Sequence, residues 1–191
     1  PCPRRWRPLE RELRETTGPL VAGVDEVGRG PLAGPLVACA VVMPPDERAI
    51  RGVDDSKKLL PAQRVKLAAR IRDRAMSWAL GAASVREIEQ LNIYHATTLA
   101  MRRALRRLSV HPDHVLIDGR PIRGLDVPHT AVVHGDACCY SIACASIVAK
   151  VTRDRAMAAL AKRHPRYGWG CNVGYATPAH IVRQGTRGLS P

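Results

Sequence analysis

The stretch LVAGVDEVGRGPLAGPLVACAVVM, residues 20–43, decides the fold. Leu20–Val27 and Leu36–Met43 are short apolar runs rich in β-branched residues, separated by Gly28, Gly30, Pro31, Gly34 and Pro35. They predict two strands of a hairpin-like pair. Asp25 and Glu26 sit near the end of the first run, where a buried strand has little structural use for charge. Adjacent strand residues point to opposite faces. For both acids to serve one site, the strand must bulge or end there, and the glycines that follow permit this.

Working outward, residues 1–19 read as a polar lead-in with a short helix through Leu9–Glu15. Pro44–Leu60 reads as a loop. Pro61 suits the first turn of a helix running to about Trp78, its apolar face formed by Val65, Leu67, Ala68, Ile71 and Ala75. Ala79–Val85 predicts a third strand, and Val85–Leu91 and Tyr94–Leu108 predict helices. Arg102, Arg103, Arg106 and Arg107 fall as two adjacent pairs one turn apart on a single face, either solvated or turned toward phosphate. His114–Ile117 predicts a strand ending at Asp118–Gly119, Thr130–Val133 another ending at His134–Gly135–Asp136, and Ser141–Arg163 a long helix. Early strands followed by alternating helices and strands give an α/β domain around a mixed sheet.

With 191 residues, the chain is large enough for one domain that needs no disulfide staples. Cys39, Cys138, Cys139 and Cys144 stand among Ala, Val and Ile and read as small core residues of a reduced, cytoplasmic protein. No Cys–His spacing resembles a zinc site. The longest apolar run, Leu36–Met43, is far too short to span a bilayer, so no membrane role is expected. Lys and Arg number 30 against 17 Asp and Glu, a net charge of +13. That balance favours a polyanionic partner, nucleic acid ahead of a membrane surface, although a compositional bias toward arginine also contributes. Arg155, Lys162, Arg163, Arg166, Arg183 and Arg187, with Tyr167, Trp169 and Tyr175 among them, suit a phosphate backbone with rings to stack on, or an ordinary basic surface.

Four acids end or closely follow apolar runs: Asp25, Glu26, Asp118 and Asp136. At the ends of neighbouring strands they would converge on one sheet edge and repel one another unless a cation neutralised them. Hard oxygen ligands favour Mg²⁺ or Mn²⁺, and two such ions can promote phosphodiester hydrolysis. Each acid taken singly also suits a strand end, and Asp136 suits a helix cap. Gly28–Arg29–Gly30 could offer backbone N–H groups to a phosphate or hydroxyl, or simply turn. Lys57 or Lys58, in Asp55–Ser56–Lys57–Lys58, could meet a phosphate.

Five segments carry a family resemblance: Val24–Gly34; Asp55–Leu59; Ile117–Asp118–Gly119; Gly135–Asp136 with Ser141–Asp154; and Tyr167–Gly168–Trp169 with Gly174–Thr177 and His180. In this order they resemble the motifs of ribonuclease HII. The resemblance runs from about Val21 to Pro191. It implies a ribonuclease H-like α/β fold: a five-stranded mixed sheet flanked by helices, with a small C-terminal helical extension. The expected division is a lead-in at 1–19, a catalytic domain at 20–163 and a truncated substrate-binding extension at 164–191.

The implied activity is endonucleolytic cleavage of RNA in RNA–DNA hybrids, and incision 5′ to single ribonucleotides in duplex DNA. Asp25, Glu26, Asp118 and Asp136 would be catalytic and hold two Mn²⁺ or Mg²⁺ ions. Gly28, Arg29 and Gly30 would recognise the ribonucleotide 2′-hydroxyl. Lys57 would contact phosphate, and Tyr175 would stack on the neighbouring deoxyribose. The expected partners are RNA–DNA hybrid and ribonucleotide-containing DNA duplex, met by a monomer. His134 stands where the family commonly has Lys, and Asn172 where many members have His. Another nuclease of this fold, such as a junction resolvase or transposase core, would share the carboxylates but not need Gly28–Gly30 or Tyr175. A hybrid-binding protein with a degenerate site would not need all four acids.

Overall fold

A computed structural model describes residues 8–185. Cys2 and the rest of residues 1–7, together with residues 186–191 and so Arg187, lie outside the described residues. Five strands form one sheet: β1 (Val21–Val27), β2 (Leu36–Val42), β3 (Ser77–Ala83), β4 (His114–Asp118) and β5 (His129–Val132). Their order is β3-β2-β1-β4-β5. β1 pairs antiparallel with β2, and β2 antiparallel with β3. β1–β4 and β4–β5 are parallel. The predicted hairpin is therefore the antiparallel half of a mixed sheet.

The helices are α1 (Pro8–Thr16), α2 (Pro61–Arg74), α3 (Val85–Arg106), α4 (Gly135–Cys138), α5 (Tyr140–Arg163), α6 (Trp169–Asn172) and α7 (Pro178–Gly185). Strand alternation sorts the core onto two faces. Ala22, Val24, Ala38, Ala40 and Val42 pack with Ala96, Ala100, Met101 and Ala104 of α3. Cys39 and Val41 face the other way, in one cluster with Leu67, Ala68 and Ile71 of α2 and Ala143, Ile147 and Val148 of α5. Among the described residues no helix is long and apolar enough to cross a membrane.

Several boundaries differ from expectation. α2 stops at Arg74, not near Trp78, because Ala75 is extended (φ −67, ψ 137) and the Met76 N–H bonds the Val42 carbonyl at 3.0 Å. β3 accordingly starts at Ser77 and stops at Ala83. Ser84 and Glu87 form a capping box for α3: the Glu87 carboxylate accepts from the Ser84 N–H at 2.8 Å. α3 is broken at Asn92 (φ 65), whose side chain accepts from Tyr94 N–H, so the two predicted helical segments are both present. The four α3-end arginines do not form one free face. Arg103 and Arg107 donate to the Ala82 and Leu80 carbonyls on the outer edge of β3, at 2.7 and 2.9 Å. Arg102 pairs with Asp126 at 2.8 Å. The sheet edge is thereby covered by cations. Cys39, Cys139 and Cys144 are buried, but Cys138 is exposed, since it closes the outward turn of α4.

Gly81 and Gly23 let helices lie directly on the sheet. A Cβ at Gly81 would fall 1.9 Å from the Ala100 carbonyl oxygen of α3. Backbone cannot yield as a side chain end can, so Gly81→Ala is expected to cost roughly 3 kcal/mol or more. Gly170→Ala, where the nearest contact is 3.7 Å, should change little. Urea denaturation of the two variants beside the parent checks this.

Candidate active site

β1 and β4 run parallel with Val24 opposite Ile117, so the next residues, Asp25 and Asp118, emerge side by side. β4 and β5 pair Asp118 with Val132, and the turn after β5 reaches Asp136 in the first turn of α4. The sheet order alone thus brings three acids to one end of β1, β4 and β5. Glu26 joins them without a bulge, at the end of β1. β1 stays regular against β2 through Val27 opposite Val37, while its ladder with β4 stops at Val24. Past that point both faces of β1 open at the edge beside Asp118. All four predicted acids meet there.

Each acid is held. Asp25 is buried, and its Oδ1 accepts from the Glu26 N–H at 2.7 Å; the nearby Ser146 hydroxyl favours its ionised form. Ser146 also meets the Ser56 hydroxyl at 3.0 Å, which ties α5 to the loop carrying Lys57. Asp118 Oδ1 accepts from the Gly135 N–H at 2.7 Å. Asp136 pairs with Lys57 Nζ at 3.4 Å, and Glu26 with Arg29 at 3.2 Å. The second oxygen of Glu26, Oε2, is buried without a partner.

Burial raises the proton affinity of Asp25 well above the ordinary carboxylate range, and the charges of Glu26 and Asp118 add to it. Burial also raises Glu26, against the lowering pull of Arg29. Asp136 is raised by burial and by Asp118, against the pull of Lys57. Carboxylates that raise one another in this way lack positive charge. Among the described residues no three acidic, His or Cys side chains stand in a closed ligand set. Lys57 and Arg29 hold two of the four acids in ion pairs instead. The donor set is all hard oxygen, and with Glu26 Oε2 unpartnered it fits a divalent cation of the Mg²⁺ or Mn²⁺ kind.

Beside the acids lies a cleft of about 500 Å³, lined by Glu26, Arg29, Asp118, Arg120, Tyr94 and Thr97. Arg29 in this cleft is about half exposed, and Lys57, paired with Asp136, is largely exposed. Gly30 brings the glycine loop to Tyr175: a Cβ there would lie 3.9 Å from the tyrosine ring. Tyr175 is 39% exposed, with Lys150 Nζ 5.7 Å from its ring centroid. By contrast, Tyr167 and Trp169 stack on each other at 4.8 Å.

Residues 22–188 match the family model described as Ribonuclease HII. The chain belongs to the ribonuclease HII family. It is 56% identical over 181 residues to ribonuclease HII of Granulibacter bethesdensis, covering 93% of this chain and 82% of that protein. It is 50% identical over 184 residues to ribonuclease HII of Myxococcus xanthus, covering 96% of this chain but spanning only 62% of that protein. The crystal structure of ribonuclease H2 from Pyrococcus horikoshii matches with a TM-score of 0.71 and 33% identity, over 84% of this chain and 82% of that one. The matched span takes in the carboxylates at the sheet edge, the glycine loop beside them and Tyr175 next to the loop.

Sequence reading passed over Ser56 and Ser146 as individual contributors. A lone serine within Ala143–Cys144–Ala145–Ser146–Ile147–Val148 was the available signal, since a buried hydroxyl demands a partner. Asn172 is well used here: it donates to the Tyr167 carbonyl at 2.9 Å and accepts from the Gly174 N–H at 2.8 Å.

If mutual repulsion governs this edge, Mn²⁺ added to EDTA-treated protein should raise Tm, by about 2.7 kcal/mol of added stability at a hundredfold excess over Kd. Asp25→Asn combined with Asp118→Asn should abolish the shift. Differential scanning fluorimetry reads both, and an equal shift in the double variant would place the cation elsewhere.

Proposed function

We propose that this chain is an endonuclease that hydrolyses the RNA strand of RNA–DNA hybrids and incises 5′ to single ribonucleotides in duplex DNA. The enzyme class, a metal-dependent ribonuclease, comes with the family. The finer substrate reading is supported by one observation above the others. The glycine loop that follows Asp25 and Glu26 ends against Tyr175, so hydroxyl recognition and ring stacking adjoin the carboxylates on one surface.

Asp25, Glu26, Asp118 and Asp136 would hold two divalent ions. Bound there, the ions supply an activated water for in-line attack on phosphorus and charge stabilisation at the departing 3′-oxygen. The chain's own groups do the rest. Gly28–Arg29–Gly30 presents backbone at close range, where a 2′-hydroxyl distinguishes RNA from DNA. Gly28 has φ +111, a conformation that side chains resist, and a Cβ there would meet the Pro35 carbonyl at 2.8 Å. Lys57 projects largely into solvent from its Asp136 pair and can bind phosphate. Tyr175 offers its face to the sugar across the RNA–DNA junction.

The first test is cleavage of duplex DNA carrying one ribonucleotide, with Mg²⁺ or Mn²⁺, beside an all-DNA duplex. One cut 5′ to the ribonucleotide is expected, absent from the control and in EDTA. Loss of an outer partner of a metal ligand already costs about 10–100-fold, so Asp25→Asn should lower kcat at least about 100-fold and leave duplex binding nearly intact. A wild-type rate would refute the carboxylate assignment.

Aromatic stacking contributes about 1–3 kcal/mol per stacked unit. Tyr175→Ala should therefore reduce incision at a single ribonucleotide about tenfold more than cleavage of a continuous hybrid. Equal losses on the two substrates would refute a role at the junction.

A further inference from the structure

Among the described residues Arg153 is the largest wholly buried side chain, at 0% exposure, and its side-chain hydrogen bonds go to backbone carbonyls and not to the four acids. Among the described residues no carboxylate pairs with it; its neighbour Asp154 is engaged by Lys150 at 2.7 Å. A guanidinium removed from water needs its donors satisfied. Here each of its three nitrogens donates to a backbone carbonyl. Nε donates to Pro35 at 2.9 Å, Nη2 to Ala33 at 3.0 Å and Nη1 to Val173 at 2.9 Å.

These carbonyls belong to two separate segments. Ala33 and Pro35 lie on the return arm of the loop that begins Gly28–Arg29–Gly30. Val173 lies two residues before Tyr175. The segments also meet directly, where the Leu32 N–H donates to the Gly174 carbonyl at 2.8 Å. Val173 holds a left-handed conformation (φ 44) that a β-branched residue adopts only when its surroundings impose it. Met157, one turn beyond Arg153, closes the same joint: Cβ atoms at Gly34 and Gly174 would fall 2.3 and 3.3 Å from its Sδ and Cε. The guanidinium is packed as closely, since a Cβ at Gly28 would lie 2.8 Å from its Nε.

We propose that Arg153 is a positioning residue that fixes the glycine loop and Tyr175 as one rigid unit and thereby sets selectivity for an isolated ribonucleotide. This rests on the substrate roles proposed above for Gly28–Gly30 and Tyr175. Arg153 contacts no substrate. It sets the distance between a group that reads the 2′-hydroxyl and a ring that reads the next sugar. A lysine keeps the charge but lacks the planar fork that reaches both segments at once.

The test combines hydrogen exchange and kinetics on Arg153→Lys, with and without Tyr175→Ala. Backbone amides of residues 29–35 and 172–176 should lose protection together in Arg153→Lys, while β1 keeps its own. Incision at a single ribonucleotide should fall about tenfold more than cleavage of a continuous hybrid, because small misplacements of positioned groups carry such costs. In the Tyr175→Ala background the same change should barely alter that ratio. Unchanged exchange, loosening of one segment only, or equal losses on both duplexes would overturn the proposal.

If Tyr175→Ala itself leaves the ratio unaltered, the substrate assignment has failed, and the exchange result alone decides whether Arg153 couples the segments. If Arg153→Lys does not fold, exchange in the wild-type protein decides. The two segments must then open with one common protection, and separate openings refute the joint.

Discussion

The structure depends on how closely α5 lies on β1. A Cβ at Gly23 would fall 2.1 Å from the Ser141 carbonyl carbon, so helix backbone touches sheet backbone with no side chain between. Ala143, Cys144, Ala145 and Ala149 are wholly buried, and their small size permits the approach. α1 holds the start of the helix: Glu10, itself buried, accepts from the Ser141 N–H at 2.7 Å and its hydroxyl at 2.5 Å. Its carboxylate therefore sits at a helix N-terminus, where negative charge is favoured. Once α5 is seated, its residues fall into place by helical spacing. Ser146 lies against Asp25, Lys150 over Tyr175, Arg153 under the two loops and Met157 behind them. One helix face thus supports the acids at one end and the glycine loop and Tyr175 segment further along.

The charge of the chain is distributed in a way that its total of +13 conceals. Many of the arginines serve the protein itself. Arg103 and Arg107 cover the β3 edge, and Arg64 donates to the Ser56 and Leu59 carbonyls at 2.9 and 2.6 Å, shaping the loop of Lys57. Arg153 is wholly internal. Arginine suits such work because its fork matches several carbonyls at once. Two cations at the acidic edge, Arg29 and Lys57, are exposed and already aligned by Glu26 and Asp136. In each pair only the cation is exposed, its carboxylate being largely buried, so turning the cation toward a phosphate leaves a buried charge that another cation must neutralise. Net charge indicates the class of partner, and only the placement of these few groups indicates where it would lie.

The sheet and the four acids were legible in the sequence because each rests on local pattern. Apolar runs rich in β-branched residues, parted by glycines and prolines, gave β1 and β2, and acids ending apolar runs gave the candidate edge. The bounds of α2 and β3 were not legible, because Ala75–Trp78 suits a helix by periodicity and only tertiary pairing of Met76 with Val42 overrides it. The Ser84–Glu87 capping box was a signal present in the sequence and passed over. Of the two ways foreseen for Glu26 to reach the edge, a bulge or a strand end, the structure uses the second: the ladder to β4 stops at Val24 and β1 itself ends at Val27. Arg153 had no sequence signal of its own, for nothing local separates an arginine that bonds solvent from one that bonds carbonyls 118 and 120 residues away in the chain. Such contacts depend on the fold having already formed, so the residues that join distant loops are the last that a single sequence can reveal.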